Sequence, residues 1–62
     1  MKEFEKMTRK ELAVLLVEDQ IKRNVIKEEN KEIHIKRVLK GFGYYIKPMS
    51  KIELVSYANM YL

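Results

Sequence analysis

The same helix-start signal occurs near both ends of this chain, and it fixes where two helices begin. Thr8 is followed by Glu11, and Ser50 is followed by Glu53. In such a capping box the hydroxyl accepts a hydrogen bond from the amide three residues further on, and the carboxylate accepts one from the amide of the Thr or Ser. A Met before each box and a Leu after it can add a hydrophobic staple. We therefore predict that one helix begins at Thr8 and another at Ser50.

The segment between these two helices has two interpretations. As a helix over residues 28–41, it places the apolar side chains from Ile35 to Phe42 on one stripe about 100° wide. As a hairpin at about 33–46, it alternates apolar and polar residues before a turn that contains both glycines of the chain. We favour the helix, because a lone two-stranded hairpin is poorly stable and the sequence offers no third strand.

The predicted fold class is therefore all-α, a small three-helix bundle. Its helices cover residues 8–24, 28–41 and 50–62, and Asn24 suits the end of the first because it tolerates left-handed dihedrals. We place Phe42 in the core, as part of a glycine-supported turn. The alternative fold is two helices flanking the short β-hairpin.

The chain has 62 residues and no cysteine, which limits how large and how stable its core can be. A domain of this size buries only about 60% of the surface that its unfolded chain exposes. Small domains compensate with disulfides, metals or oligomerisation, and without cysteine we expect oligomerisation. We predict a single helical domain over residues 1–62, with residues 1–7 flexible. Its longest apolar run, residues 12–17, is far shorter than the roughly 20 residues that cross a bilayer, so we predict no membrane contact and a cytoplasmic location.

The first predicted helix is apolar on two sides. A helix of this kind usually lies between two layers of structure. Because a chain this short can hardly supply both layers, we expect one side to contact a second copy of the chain, as a homodimer, or a larger protein target. The candidate interface residues are Leu12, Leu15 and Leu16 on one side, and Val14, Val17, Ile21 and Val25 nearly opposite.

The second half of the chain carries the whole basic excess. Residues 1–30 hold seven basic and seven acidic side chains, whereas residues 31–62 hold six basic and two acidic ones. This asymmetry indicates an anionic partner, nucleic acid first, although a solvated helix face is an equally simple interpretation. In a helix, Lys36, Arg37 and Lys40 share one stripe, with an isoleucine near its centre. The candidate contacts to nucleic acid or an acidic partner are Ile33, His34, Lys36, Arg37, Lys40, Tyr44, Tyr45, Lys47 and Lys51.

Catalysis has no group of residues to carry it, because His34 is the one histidine, cysteine is absent, and no triad or metal cluster can be assembled. We therefore expect no enzyme activity, no catalytic or metal site, no cofactor and no small-molecule substrate. The first function that we expect is a small adaptor or inhibitor that binds a protein partner through an apolar helix face. The alternative is a small basic regulator that binds DNA or RNA. In either case the abundance of Lys, Ile and Glu suits a bacterial or phage regulator.

Overall fold

The computed structural model describes residues 3–44 and 46–62, and these residues form three α-helices. Helix α1 covers Arg9–Lys22, α2 covers Lys31–Lys40 and α3 covers Lys51–Tyr61, with single-turn 3-10 helices at Phe4–Lys6 and Glu28–Asn30. The prediction of an all-α, three-helix fold is confirmed. None of the described helices has the length and apolar character needed to cross a membrane.

The hairpin alternative is wrong, because Lys31–Lys40 is helical. In the described part of the chain, the one β feature is a single antiparallel bridge between Phe42 and Ile46. Ile35 and Val38 pack against the core, as the helical spacing of the stripe predicts. The apolar periodicity of three to four residues therefore outweighs the short alternation that suggested a strand.

Both predicted capping boxes are present. The Thr8 hydroxyl accepts from the Glu11 amide at 3.1 Å, and the Glu11 carboxylate accepts from the Thr8 amide at 3.0 Å. Ser50 and Glu53 make the corresponding bonds at 3.2 and 3.0 Å. Beyond the end of α1, Asn24 has a φ of 62°, the left-handed conformation expected of it. Local hydrogen bonds thus set the starts of α1 and α3.

Helix α1 lies in the middle of the fold and contacts both α2 and α3. Its buried side chains come from both of its apolar sides, and they are Leu12, Ala13, Leu16 and Val17, each at most 4% exposed. Leu54 and Ala58 of α3 complete the core together with Phe4. The chain therefore supplies neighbours on both sides of α1, contrary to the prediction that it is too short to do so.

The N-terminal residues take part in this core. Residues 4–7, which we predicted to be flexible, contain a 3-10 helix whose Phe4 is buried, and Met7 packs against the core beside it. Residues 1 and 2 lie outside the described residues. A single Phe among charged residues has no periodic pattern, so its burial could not be predicted from the residues around it.

Arg9 ties the start of α1 to the end of α2 and to the segment that leads into α3. Its Nη2 donates to the Leu39 carbonyl at 2.9 Å and to the Met49 carbonyl at 2.7 Å, and its Nε donates to the Met49 carbonyl at 3.2 Å. The Met49 amide donates in turn to the Val38 carbonyl at 2.9 Å. These bonds hold the segment before α3 against the C-terminal end of α2.

Arg23 makes a similar connection at the other end of α1. Its Nη2 donates to the Tyr61 carbonyl at 3.2 Å, and its guanidinium carbon lies 5.3 Å from the centroid of the Tyr61 ring. Its Nε lies 3.1 Å from Oδ2 of Asp19. The Tyr61 ring also contacts Tyr57, with ring centroids 4.6 Å apart. Helices α1 and α3 are thus joined at both ends.

Candidate nucleic-acid interface

One side of α2 faces solvent and carries basic side chains. Ile33, Lys36 and Lys40 are exposed, and Arg37 is half-buried. Spacings of three, four and seven residues from Ile33 place these side chains along one stripe of the helix. The structure therefore brings together the four residues that the sequence assigned to this stripe.

The cations of this region have no acidic partners in the described structure. The sequence contains no Asp or Glu between Glu32 and Glu53. The ion pairs among the described residues join Lys6 to Glu3, Arg23 to Asp19, and Lys31 to Glu18. None of these pairs involves the cations Lys36, Arg37, Lys40 or Lys47. Four positive charges are therefore open to an external anion.

A loop closed by its own backbone follows α2. The Phe42 amide donates to the Ile46 carbonyl at 2.7 Å, and the Ile46 amide donates to the Phe42 carbonyl at 3.2 Å. Gly41 has a φ of 79°, and a Cβ atom at this position would lie 2.5 Å from the Ile46 carbonyl oxygen. Glycine is therefore required where the chain folds back on the end of α2.

Phe42 lies on the surface of this loop, 59% exposed, so the prediction that it joins the core is wrong. The helical periodicity that placed it in the core ends at Lys40, and the positive φ of Gly41 then turns the chain in a new direction. The guanidinium carbon of Arg37 lies 4.9 Å from the centroid of the Phe42 ring. Such a cation–π contact is worth about 0.5–1 kcal/mol at an exposed site. The contact holds an exposed ring beside the basic stripe.

Tyr44 extends into solvent from the same loop and is 98% exposed. Lys47 is also exposed, and it follows Ile46, the residue that closes the loop. Tyr45, another predicted contact, lies outside the described residues. We define the α2–loop surface as Lys36, Arg37, Lys40, Phe42, Tyr44 and Lys47.

Two further predicted contacts are not part of this surface. His34 is half-buried, and it lies about 100° around α2 from its neighbour Ile33, so it flanks the basic stripe. Lys51, the first residue of α3, instead lines a groove of about 250 Å³ together with Glu5 and Ile52. None of the other residues that line this groove is a predicted contact.

The α1 residues predicted as a protein interface are mostly turned inward. Leu12, Leu16 and Val17 are buried in the core of the chain itself, which corrects their assignment to an interface. Leu15 and Ile21 are partly buried and pack against that core, and Val14 is half-buried. Val25 is exposed, because α1 ends at Lys22 and the left-handed turn at Asn24 breaks the spacing that linked Val25 to the helix. Contact of α1 with a partner stays a prediction, but its buried residues cannot carry it in this fold.

Helix α3 exposes apolar residues that sequence reasoning did not single out. Ile52 is 79% exposed and Met60 is 73% exposed. With Ser56 between them, they follow a spacing of four residues along one side of the helix, which we call the outward face of α3. The signal in the sequence was the absence of any charged residue after Glu53.

A larger groove of about 490 Å³ lies beside α1, and it is lined by both acidic and basic side chains. Two of them, Glu18 and Lys31, lie 3.4 Å apart and neutralise each other. Within residues 3–44 and 46–62, no three side chains of the metal-binding types lie close enough together to hold a metal ion. Comparisons of the chain with protein-family models, with curated proteins and with solved structures return no match.

Proposed function

We propose that this chain is a small non-enzymatic protein that binds nucleic acid through the α2–loop surface. The proposal rests on one observation: beside two exposed aromatic rings lie four cations that form no ion pair among the residues that the structure describes. Contacts from Lys and Arg to phosphate supply most of the affinity of such proteins and fix their position on the strand. The α2–loop surface is opposite in charge to a phosphate backbone, and its side chains supply hydrogen-bond donors that phosphate oxygens accept.

The main argument for an adaptor that binds a partner through α1 no longer holds. That function was expected because α1 has more apolar residues than a short chain seemed able to bury. In the structure, Leu12, Leu16 and Val17 are covered by the chain itself. Among the cations of the second half, by contrast, Lys31 alone forms an ion pair in the described part of the chain. This difference makes nucleic-acid binding the better supported of the two functions.

Binding through four phosphate contacts implies a steep dependence on salt. Each contact contributes a slope of about −0.7 for single strands and −0.9 for B-DNA to the logarithmic dependence of affinity on salt. Four contacts therefore weaken binding roughly 50- to 150-fold when the salt rises from about 50 to about 200 mM. An interface made of apolar contacts would respond much less.

Fluorescence anisotropy with a labelled oligonucleotide at these two salt concentrations tests the proposal. The three exposed lysines of the surface are replaced together in the variant Lys36→Ala, Lys40→Ala, Lys47→Ala. The matched control carries Lys10→Ala, Lys22→Ala, Lys27→Ala, which removes the same charge from exposed positions elsewhere. We expect the surface variant to bind at least about tenfold more weakly and its salt slope to fall by about 2 to 3.

The control variant is expected to keep most of the affinity and slope, and circular dichroism verifies that both variants fold. Equal losses in the two triple variants would show a response to net charge alone and contradict the assignment of the surface. Absence of binding by the unaltered chain at the lower salt concentration would contradict the function itself.

A second contact, with protein, is supported by the outward face of α3. A two-fold symmetric interface brings the same patch of both copies together, so like charges on that patch repel. The outward face, Ile52, Ser56 and Met60, carries no charge in a chain whose net charge is +4. We therefore propose that a second copy of this chain covers it, forming a homodimer.

Sedimentation equilibrium at micromolar concentration tests the homodimer. The unaltered chain should show roughly twice the mass of one chain. The double variant Ile52→Glu, Met60→Glu should show the mass of one chain, with an unchanged circular dichroism spectrum. Val25→Glu, at an exposed position off this face, serves as the control and should remain dimeric. An unaltered chain that stays monomeric would contradict the homodimer.

A further inference from the structure

We infer that the α2–loop surface selects single-stranded nucleic acid, with unstacked bases resting on the rings of Phe42 and Tyr44. This inference rests on the proposed function and names its ligand class. The lysines and Arg37 would contact the phosphates of the strand, while the two rings would contact its bases.

The first support is where the chain places its aromatic residues. Phe4 is buried in the core, and Tyr57 is half-buried against it. Phe42 and Tyr44 are exposed, although the core of the chain is small and an aromatic side chain can bury roughly 150 Å² or more. Two rings left in solvent forgo that stabilisation in the free protein, and a stacked base would restore it.

The second support is that the Phe42 ring is held in place before any ligand arrives. The paired hydrogen bonds between Phe42 and Ile46 close the loop, and the φ of 79° at Gly41 directs it away from the core. The Arg37 guanidinium lies over the Phe42 ring, with the ring still 59% exposed. A ring fixed in this way loses little conformational freedom when a base stacks on it.

The third support is that the surface is poorly equipped to read a duplex. Bases in a duplex are stacked on one another, so a protein reaches only their edges in the grooves, through hydrogen bonds from side chains such as Arg, Lys, Asn or Gln. Of these side chains, the exposed stripe of α2 offers Lys36 and Lys40, beside the apolar Ile33 and a half-buried Arg37. A duplex would therefore contact the cations and leave the rings without a stacked base, whereas a single strand would contact both the cations and the rings.

The test compares three ligands that share a phosphate backbone. They are a deoxythymidine strand of about 15 nucleotides, the same strand paired as a duplex, and an abasic strand of equal length. We expect the unaltered chain to bind the deoxythymidine strand most tightly, because only that ligand presents free bases. Affinity and its salt slope are measured by anisotropy for each ligand.

Ring variants then separate stacking from charge. Tyr44→Ala and Phe42→Ala should each weaken binding to the deoxythymidine strand roughly 5- to 150-fold without changing the salt slope, and they should leave binding to the abasic strand unchanged. Tyr44→Phe keeps the ring and should keep the affinity, whereas Tyr44→Leu keeps apolar volume without a ring and should lose it. The lysine triple variant should weaken binding to all three ligands and lower each slope.

Failure of this inference is distinguishable from failure of nucleic-acid binding. Equal affinity for the three ligands, with ring variants that bind normally, would overturn stacking and leave the proposed function intact. Vesicles with anionic lipids that bind more tightly than the deoxythymidine strand would assign the surface to membranes and overturn the inference. No binding to any of the three ligands would overturn both proposals.

Discussion

Helices α1 and α3 begin alike and end up in different surroundings. Each starts at a capping box and carries a leucine, Leu12 or Leu54, that is 1% exposed. Beyond that first turn, α1 continues to bury side chains on both of its apolar sides, because it lies between α2 and α3. Helix α3 has neighbours on one side and leaves Ile52 and Met60 in solvent.

The difference shows that an uninterrupted run of apolar residues does not by itself identify an interface. The longest apolar run, residues 12–17, belongs to α1, and the chain itself covers most of the side chains in it. The exposed apolar face belongs to α3, which lacks charged residues after Glu53. Position in the fold, which depends on contacts between distant residues, decides which helix has a free face.

The largest effect should come from the leucines that the two helices share. Leu12→Ala and Leu54→Ala should each lower the free energy of unfolding by about 2–5 kcal/mol, because each leaves a cavity in the core. Ile52→Ala, at a position of α3 that is exposed in the single chain, should change it by less than about 0.5 kcal/mol at concentrations too low for the proposed homodimer to form. Urea unfolding followed by circular dichroism gives all three values. At such concentrations, a loss at Ile52 as large as that at Leu54 would mean that the chain itself covers both sides of α3.

A smaller effect is expected where arginines join the two helices. Arg9→Ala should lower the free energy of unfolding by about 1–2 kcal/mol, since it removes hydrogen bonds from a charged donor to two carbonyls. Arg23→Ala should lower it by about 0.5–1 kcal/mol, because Arg23 donates to one carbonyl, that of Tyr61, and its ion pair with Asp19 is partly exposed. The same unfolding assay compares them. An equal or larger loss at Arg23 would place the stronger connection at the opposite end of α1.

The two caps should contribute alike, and their removal sharpens the comparison between the helix starts. Thr8→Ala and Ser50→Ala should each lower the free energy of unfolding by about 1 kcal/mol, because each leaves the amide three residues on without its acceptor. Thermal melts of the two variants provide the measurement. If one variant melts like the unaltered chain, that hydroxyl is not acting as a cap.

The smallest effect should appear in acid. The pKa of the carboxyl of Glu11 or Glu53 lies below its ordinary value of 4.5, first because the backbone amide of Thr8 or Ser50 donates to it and second because of a side-chain hydrogen bond with that residue. A pKa lowered in the folded state contributes stability above its unfolded value, and that stability is lost as the pH falls through the folded pKa.

The melting temperature of the unaltered chain should therefore fall as the pH drops below about 4.5. Glu11→Gln and Glu53→Gln each remove one titrating group. Each should therefore reduce the fall of the melting temperature in acid by a similar amount. Melts recorded from neutral to acidic pH check this, with Glu5→Gln as an exposed control outside both caps. A reduction produced by only one of the two changes would mean that the caps are not equivalent in acid.

The structural features that depend on residues close together in the sequence were predicted correctly. The capping boxes and the left-handed turn at Asn24 depend on residues only a few positions apart, and both were predicted. Sequence reasoning failed at Phe42 and Val25, because each follows a residue of positive φ, after which the spacing of a helix no longer says where a side chain points.

Contacts between distant residues were out of reach for a different reason. Arg9 reads as an ordinary charged residue in the first turn of a helix, and nothing nearby indicates that its partners are Leu39 and Met49. Of the candidate site, the stripe of Lys36, Arg37 and Lys40 could be predicted because it lies within one helix. The contact of Arg37 with the Phe42 ring could not, because it depends on how the loop turns after Gly41.

The hydrogen bonds of Arg9 also bear on the order in which the fold assembles. They join positions separated by 30 and 40 residues, and contacts over such separations form only after much of the chain has been brought together. An interaction that forms after the folding transition state affects the unfolding rate more than the folding rate. We expect Arg9 to act in this way. The lifetime of the closed loop that presents Phe42 and Tyr44 would then be governed by a guanidinium group in the first turn of a different helix.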